Sequence, residues 1–557
     1  MKKACLLVFL FCGLCWSKTL FAQEDPKVYL TGSLGAGLTY YNMNGADPRQ
    51  NPYGYMVNGQ VTVHAGQLSL PFSVYMNQQG TSFSQPFNRF GFSPSYKWAT
   101  LHLGHRMMFF NPYTLSGTTF LGAGVELNPG IFRFSAMYGQ FQPAIDQQTA
   151  NFGQPQFRQL GYAGKIGIGT DKNYIDLIFF QAADDRSSLN LIDSVQNSIS
   201  AEQNTALGLS GRLEFFDGKL SLKADGGVSI FTRNQGAPGV DVTTTGLLQD
   251  ILDFISPNIS TNVAGAGSAE LAYREKNFNL GLEYRYVEEE YRTLGLNYLI
   301  DDLEQITIKP GVNLFKNKLI ISGSYGIQNN NLNDRRAAKT TRNIGSVNIS
   351  WMPSQKFFFS GGYSNFSIYQ SVVIDSILND SLLVDQVNHN INGMARYMWS
   401  NKKFQQSVSL TFNFQTLADN NNFTSDFTEN RVFNNTAMYQ LTNIKKRWTI
   451  TGGGHYILYN TATLSNTRIG VQGQYNQSLL KSKLNLAGGI NISRSMSEIG
   501  DGWISNINTN VSYRIAQRQS LSFRLFYIVN DVNQSFSELR GSIAFRIGFD
   551  TRKRKEK

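Results

Sequence analysis

The chain has 557 residues, a formal net charge of +11, 41% hydrophobic and 13% aromatic side chains, and three cysteines. All three, Cys5, Cys12 and Cys15, lie near the N-terminus, so the remainder can form neither a disulfide framework nor a thiolate metal site. No later window approaches eighteen consecutive apolar residues, which argues against transmembrane helices.

Lys2 and Lys3, the apolar run Leu6 to Leu14, and Leu20-Phe21-Ala22 before Gln23 read as a secretory signal peptide over residues 1–22, cut after Ala22. Cys12 follows Phe11 and Cys15 follows Leu14, where a lipoprotein cut expects a small residue. Residues 23–27 form a short leading segment, with no room for an N-terminal plug or a separate periplasmic domain.

From Val28 onward the dominant signal has period two, the mark of strands with unlike faces. Phe404 to Thr416 places Phe404, Val408, Leu410, Phe412 and Phe414 on one face, with Gln406 as a polar exception. Gln405, Ser407, Ser409, Thr411, Asn413 and Gln415 fall on the other. Leu484 to Ile492 repeats the pattern, as does Trp503 to Ile515, whose polar face is Asn506, Asn508, Asn510, Ser512 and Arg514. A tilted strand needs about 9–11 residues to cross the hydrocarbon layer. These segments have that length.

Tight turns alternate with longer polar loops. The turns are Ala65-Gly66, Pro94 to Lys97, Asn128 to Gly130, Thr170 to Asn173, Asp217-Gly218, Lys276-Asn277, Lys316 to Lys318, Pro353 to Lys356, Ser400 to Lys403, Asn443 to Lys446, Leu480 to Lys483 and Ala516 to Gln519. The loops include 142–154, 184–203, 235–261, 288–302, 370–385 and 417–430. With both termini on the periplasmic side, twelve periplasmic turns give a single all-β antiparallel transmembrane barrel of about 26 strands over residues 28–549. The first strand is Val28–Tyr40, the last Leu539–Phe549, and a short one lies at Phe87–Phe92. In hydrocarbon an open sheet edge is costly, so the first strand must pair with the last. Residues 550–557 form a basic tail; in an exported chain it reads as a solvated end or a partner contact, not a nucleic-acid site.

One loop carries a possible helix, Gly246 to Ile255. Thr245 caps it, Pro257 stops it, and Leu247, Leu248, Ile251, Leu252, Phe254 and Ile255 form its apolar face. It reads equally as an inward-folded constriction or docking element and as a surface helix packed on neighbouring loops.

The lumen face of the first half holds both signs: Arg212, Glu214, Lys223, Asp225, Glu270, Arg274, Glu283 and Arg285. Mutual pairing is expected. The last strands place Arg468, Arg514, Arg524, Arg540 and Arg546 inward with hardly any acid. Such a wall draws anions, unless the arginines serve loops or a partner inside the barrel. Tyr40, Tyr41, Trp98, Trp351, Trp399, Trp448 and Trp503 near strand ends read as interfacial girdles.

Catalysis finds little support. His102 and His105, three apart on a strand, point to opposite faces. Glu288-Glu289-Glu290 with Asp301, Asp302 and Glu304 could bind calcium but reads more readily as a solvated loop. No catalytic set, cofactor motif or metal site is expected.

The alternation, the turns and the late Phe549 resemble bacterial outer-membrane β-barrel proteins, with the Asn/Gly/Tyr-rich texture of barrels from Bacteroidota-type envelopes. The resemblance implies export to the outer membrane of a Gram-negative cell. Its partners would be outer-membrane lipids, the barrel-assembly machinery during biogenesis, and other envelope proteins through the loops or basic tail. The basic tail after Phe549 departs from the usual ending. Two expectations follow: a porin-like channel passing small polar or anionic solutes, or a non-catalytic barrel subunit of a multiprotein envelope complex.

Overall fold

The computed structural model describes residues 28–78, 89–145, 155–189, 199–240, 255–373, 383–498 and 500–552. Residues 1–22, expected to be a signal peptide, the segment at 23–27 and tail residues 553–557 lie outside the described residues, as do the expected loop-helix positions Leu247, Leu248, Ile251, Leu252 and Phe254.

The described residues form one antiparallel sheet of 27 strand segments, from Val28–Asn44 to Phe536–Asp550. Two segments are halves of one strand: Arg89–Phe92 and Ser95–Tyr96 both pair with Leu68–Asn77 on one side and Ala99–Met107 on the other. Pro94, which has no N–H to give a ladder, sits in the break. The ring therefore has 26 strand positions. It closes between the first and last strands, in register from Thr31 opposite Asp550 to Asn44 opposite Ser537. Both edge strands extend past their expected ends, and the short strand begins within the described residues at Arg89.

Alternation sets which face meets lipid. On Phe404–Asp419, Val408, Leu410 and Phe412 are exposed on the outer face, while Ser407, Ser409 and Thr411 line the interior. Gln406, the polar exception, accepts a hydrogen bond from the Tyr439 hydroxyl at 2.6 Å on the neighbouring strand. Its amide oxygen is thus matched on the apolar face. No helix among the described residues is long and apolar enough to cross a membrane.

All twelve tight turns lie at one end of the barrel and the longer connections at the other. The second turn is displaced: it falls at Lys97-Trp98, because Ser95-Tyr96 continues the broken strand. Trp98, Trp351, Trp399 and Trp448 gather at the turn end, and Tyr40 and Trp503 at the loop end. Trp351 stacks on Phe359, and Phe357, Tyr397, Trp399 and Tyr439 continue the band from strand to strand. Tyr41 does not belong to a girdle. It is buried on the lumen side, with the Arg540 guanidinium 5.8 Å from its ring centre.

This belt makes a direct prediction. Val471 lies on the outer face, 65% exposed, and an arginine there meets hydrocarbon. Val471→Arg is expected to destabilise the barrel by about 2–4 kcal/mol if the site is at mid-depth. Equilibrium unfolding in lipid vesicles measures it; an unchanged midpoint would remove this strand from the membrane.

The candidate solute path: a half-filled lumen

Twenty-six strands spaced about 4.8 Å and tilted about 40° would enclose a ring on the order of 50 Å across if circular. What stands inside it decides what the barrel can do.

Two connections at the loop end fold back into the lumen and pack together: residues 108–118, between Ala99–Met107 and Thr119–Leu127, and residues 288–302, between Phe278–Val287 and Leu303–Leu314. Asn111 anchors the first. Fully buried, its amide donates to the Leu209 carbonyl (3.1 Å), the Ser210 hydroxyl (2.9 Å) and the Gly226 carbonyl (3.2 Å) on the wall strands Gln203–Phe215 and Leu220–Thr232. The second segment docks on the first. Tyr291 donates its hydroxyl to the Tyr113 carbonyl, Thr293 to the Thr114 carbonyl at 2.9 Å, and Ser116 its N–H to the Gly295 carbonyl at 3.1 Å. Ser229 of the wall donates to the Arg292 carbonyl, and Leu294 donates its N–H to Asn204 at 3.2 Å.

The wall beneath is smooth because two glycines face each other in register, Gly208 and Gly227. A Cβ at Gly227 would come within 2.8 Å of the Tyr291 hydroxyl and 2.9 Å of Tyr113 Cβ; one at Gly208 would come within 2.9 Å of the Thr114 methyl. Two apolar clusters seal the contact. One contains Met108, Phe110, Leu115, Phe120, Met137, Phe141, Ile178 and Phe180; the other Tyr113, Val287, Tyr291 and Leu303. Burial of this much side chain, at about 25 cal/mol per Å² of apolar surface, makes the insert a fixed part of the barrel.

The charges on this side are largely matched. Arg212 pairs with Glu214 at 2.6 Å, Lys223 with Asp225 at 2.8 Å, and Glu283 with Lys309. Arg133 grips Asp176 with two bonds, at 2.8 and 3.1 Å, while Lys165 approaches the same carboxylate at 3.9 Å. Glu270 faces Lys223 on one side and Glu283 on the other. Arg274 and Arg285 also face inward, and Arg285 Nε is buried without a hydrogen-bond partner among the described residues.

The other side differs. From Leu319–Asn329 to the last strand Asn, Ser, Thr, Gln and Arg predominate on the inner face, with apolar side chains such as Phe358, Phe366 and Phe526 among them. Arg468 enters near the loop end, in a recess of about 260 Å³ with Asn434, Thr436, His455, Gln472 and Asn491. Arg524 sits mid-wall, opposite Asn510 and Ser542. Arg514 and Arg546 lie at the turn end, both in register with Ser520. Arg540 alone of the five has an acid, pairing with the buried Glu538. The Arg468, Arg514 and Arg524 guanidiniums have no carboxylate within salt-bridge distance among the described residues, and Arg546 donates only to Ser33 Oγ at 3.0 Å. Arg342 and Arg396, missed by the sequence reading, share this inner face; the alternation that puts Val347, Ile349 and Tyr397 outside turns them inward.

The other sequence-level sites disperse. His102 contacts Ser93 at 3.0 Å and Glu126 at 3.7 Å, while His105 packs edge-on against Phe90. Glu289 approaches Arg335 and Arg336, Glu290 pairs with Arg233, and Asp302 accepts from the N–H groups of Asn331 and Leu332. Among the described residues no three His, Cys, Asp or Glu side chains converge on a cation position. Of the loop helix only Ile255 is described, and it is buried. The inward elements seen here are the two other segments. Their sequences carry a signal in hindsight: Met107-Met108-Phe109-Phe110 and Leu294 to Ile300 are too apolar for loops left in water.

At the turn-end rim, Asp550 is held by Arg552 at 2.9 Å and Arg518 at 3.2 Å. Hydrogen bonding from Arg552, with the charges of Arg552 and Arg518, lowers its carboxyl to about 2. Because the folded value is depressed, the contact contributes fully above the ordinary carboxylate range and is lost only as pH falls through about 2. Carboxylate infrared or NMR titration should find Asp550 still ionised at about pH 3; protonation near 4 would refute the triad.

No protein-family model and no curated protein match the chain. Solved structures align with it only loosely. The P pilus usher (PapC) translocation pore aligns over 93% of this chain and 98% of its own, at 11% identity and a TM-score of 0.37. Pseudomonas aeruginosa OccK10 (OpdN) aligns over 67% and 99%, at 14% identity and 0.34, and Acinetobacter baumannii OccAB3 over 70% and 99%, at 10% identity and 0.31. Likenesses at this level carry no inference about what the chain does.

Proposed function

We propose that the protein is an outer-membrane channel, porin-like and non-catalytic, that passes small polar or anionic solutes along the arginine-lined side of its lumen. The observation that carries this reading is the contrast between the two sides. One is filled by a bonded, apolar-sealed insert over largely paired charges; the other is predominantly polar and, of its five late arginines, only Arg540 pairs with a carboxylate, that of Glu538, among the described residues. A low-dielectric wall focuses the field of such a file of charges and raises local anion concentration.

The test uses the absence of cysteine beyond Cys15. Single cysteines at Asn508 and Ser542, on the open side, should react with a negatively charged methanethiosulfonate and reduce conductance. Cysteines at Ser210 and Ser229, under the insert, should resist. Equal labelling of all four, or labelling without effect on current, would contradict the path.

A second reading, a barrel subunit of an envelope complex, has one observation in its favour: Phe423 and Phe427 stand 67% and 77% exposed in the loop-end connection carrying the short helix Ser425–Thr428. Crosslinking from these positions in cells, abolished by serine substitution, would support it.

A further inference from the structure

We infer that the turn-end mouth of the lumen holds a binding recess for a small multivalent oxyanion, a phosphate or polycarboxylate group, with Arg514 and Arg546 as its principal ligands. The inference deepens the channel reading by naming a class of solute and where it pauses, and rests on that reading only for its biological setting.

The recess has a volume of about 630 Å³ and spans the seam where the barrel closes. That is within the range of roughly 300–1,000 Å³ common for small-molecule sites. The first two strands supply Thr31, Ser33, Gln60 and Thr62; the last three and their turn supply Arg514, Arg518, Gln519, Ser520 and Arg546. Every one of these side chains ends in a hydroxyl, a carboxamide or a guanidinium, and no carboxylate lines the space.

Register brings the two main cations to one level. Ser520 lies opposite Arg514 on one side and Arg546 on the other. Their backbones are thus two strand spacings, about 10 Å, apart, a gap that two long side chains reaching toward each other can close on one anion. Arg546 now donates to Ser33 on the first strand, the side away from Arg514, so it would exchange that bond for the anion on closing. Arg518 stands at the rim, where Asp550 is shared with Arg552. Two guanidiniums thus share one carboxylate, so the rim remains net positive. Bidentate guanidinium forks match the planar oxygen pairs of phosphate and carboxylate. The neighbouring hydroxyls and amides offer donors for remaining oxygens. A monovalent anion would satisfy one arginine and leave the other unmatched, so the arrangement favours two or more negative charges.

The test is calorimetric titration of the full-length protein in detergent micelles with inorganic pyrophosphate, citrate and acetate at low salt. Saturable one-to-one binding of pyrophosphate or citrate is expected, with acetate at least about tenfold weaker. Preference between the first two tells phosphate from carboxylate. Arg514→Gln and Arg546→Gln should each weaken binding about tenfold or more, and Arg514→Lys should fall between, keeping charge but losing the fork. Arg494→Gln removes an equal charge from the outer face, where Arg494 pairs with Asp501, and should bind as wild type. Heat-modifiable migration on gels confirms that each variant is folded. Absence of binding to all three probes overturns the recess, as does binding that ignores Arg514 and Arg546 or falls equally in Arg494→Gln. Because binding is read without current, a silent barrel that still binds pyrophosphate refutes the channel and keeps the recess; a conducting barrel that binds nothing does the reverse.

Discussion

Valine at both Gly208 and Gly227 is expected to open the filled side of the lumen and raise single-channel conductance by roughly twofold or more, since passage follows open cross-section. The two glycines form one register pair, and each lies where a Cβ would come within 2.9 Å of the insert. The wall cannot yield, because both strands are held by ladders on both sides. The insert must yield instead. Its displacement would break the Asn111 amide bonds and the Tyr291 bond, and would expose the apolar surface of Tyr113 and Leu115 to water. Asn111→Ala should act in the same direction more weakly, destabilising the docked state by about 1–3 kcal/mol through the wall groups left unpaired. Gly473→Val is the control: a Cβ there meets nothing nearer than 4.0 Å. Unchanged conductance in the double valine variant, with the barrel folded, would show that the insert does not limit the pore.

The second large effect concerns charge. Replacing Arg468, Arg514, Arg524 and Arg546 together by glutamine should lower the anion-to-cation permeability ratio by about an order of magnitude at low ionic strength. The effect should shrink toward 1 M salt, where the screening length falls to about 3 Å. Arg540→Gln alone should act in the same direction but by less, because it removes one lumen cation and leaves the Glu538 carboxylate uncompensated. Reversal potentials in a potassium chloride gradient separate the cases. Equal selectivity in the quadruple variant and the wild type would place the ion path elsewhere.

What could be read from the sequence follows from what each residue answers to. Leu410 and Asn413 face two different media, lipid and lumen, and that choice is local, so alternation along one strand reveals it. Turn chemistry such as Asp217-Gly218 is local too, which is why twelve turns led to the observed 26 strand positions. The insert is not local. Asn111 finds its partners 98 to 115 residues away, and nothing in Asn111-Pro112-Tyr113 announces them. The acidic run Glu288 to Glu290 read as a solvated loop, with calcium as the lesser alternative, because its arginine partners, Arg233, Arg335 and Arg336, lie in other connections. Tyr41 looked like a girdle residue by its place near a strand end. Its neighbour Tyr40 takes the outer face, so Tyr41 turns inward onto Arg540. The late arginines were legible as a group, but their separation into a loop-end, a middle and a turn-end level needed the pairing register.

The central claim is an open, anion-favouring path beside a fixed insert. Single-channel recording of the purified wild-type protein in a planar bilayer, with reversal potential measured across a salt gradient, tests it most directly. Steady conductance with a reversal potential displaced toward the anion is the predicted result. A folded barrel that passes no current, or one that prefers cations, would contradict it.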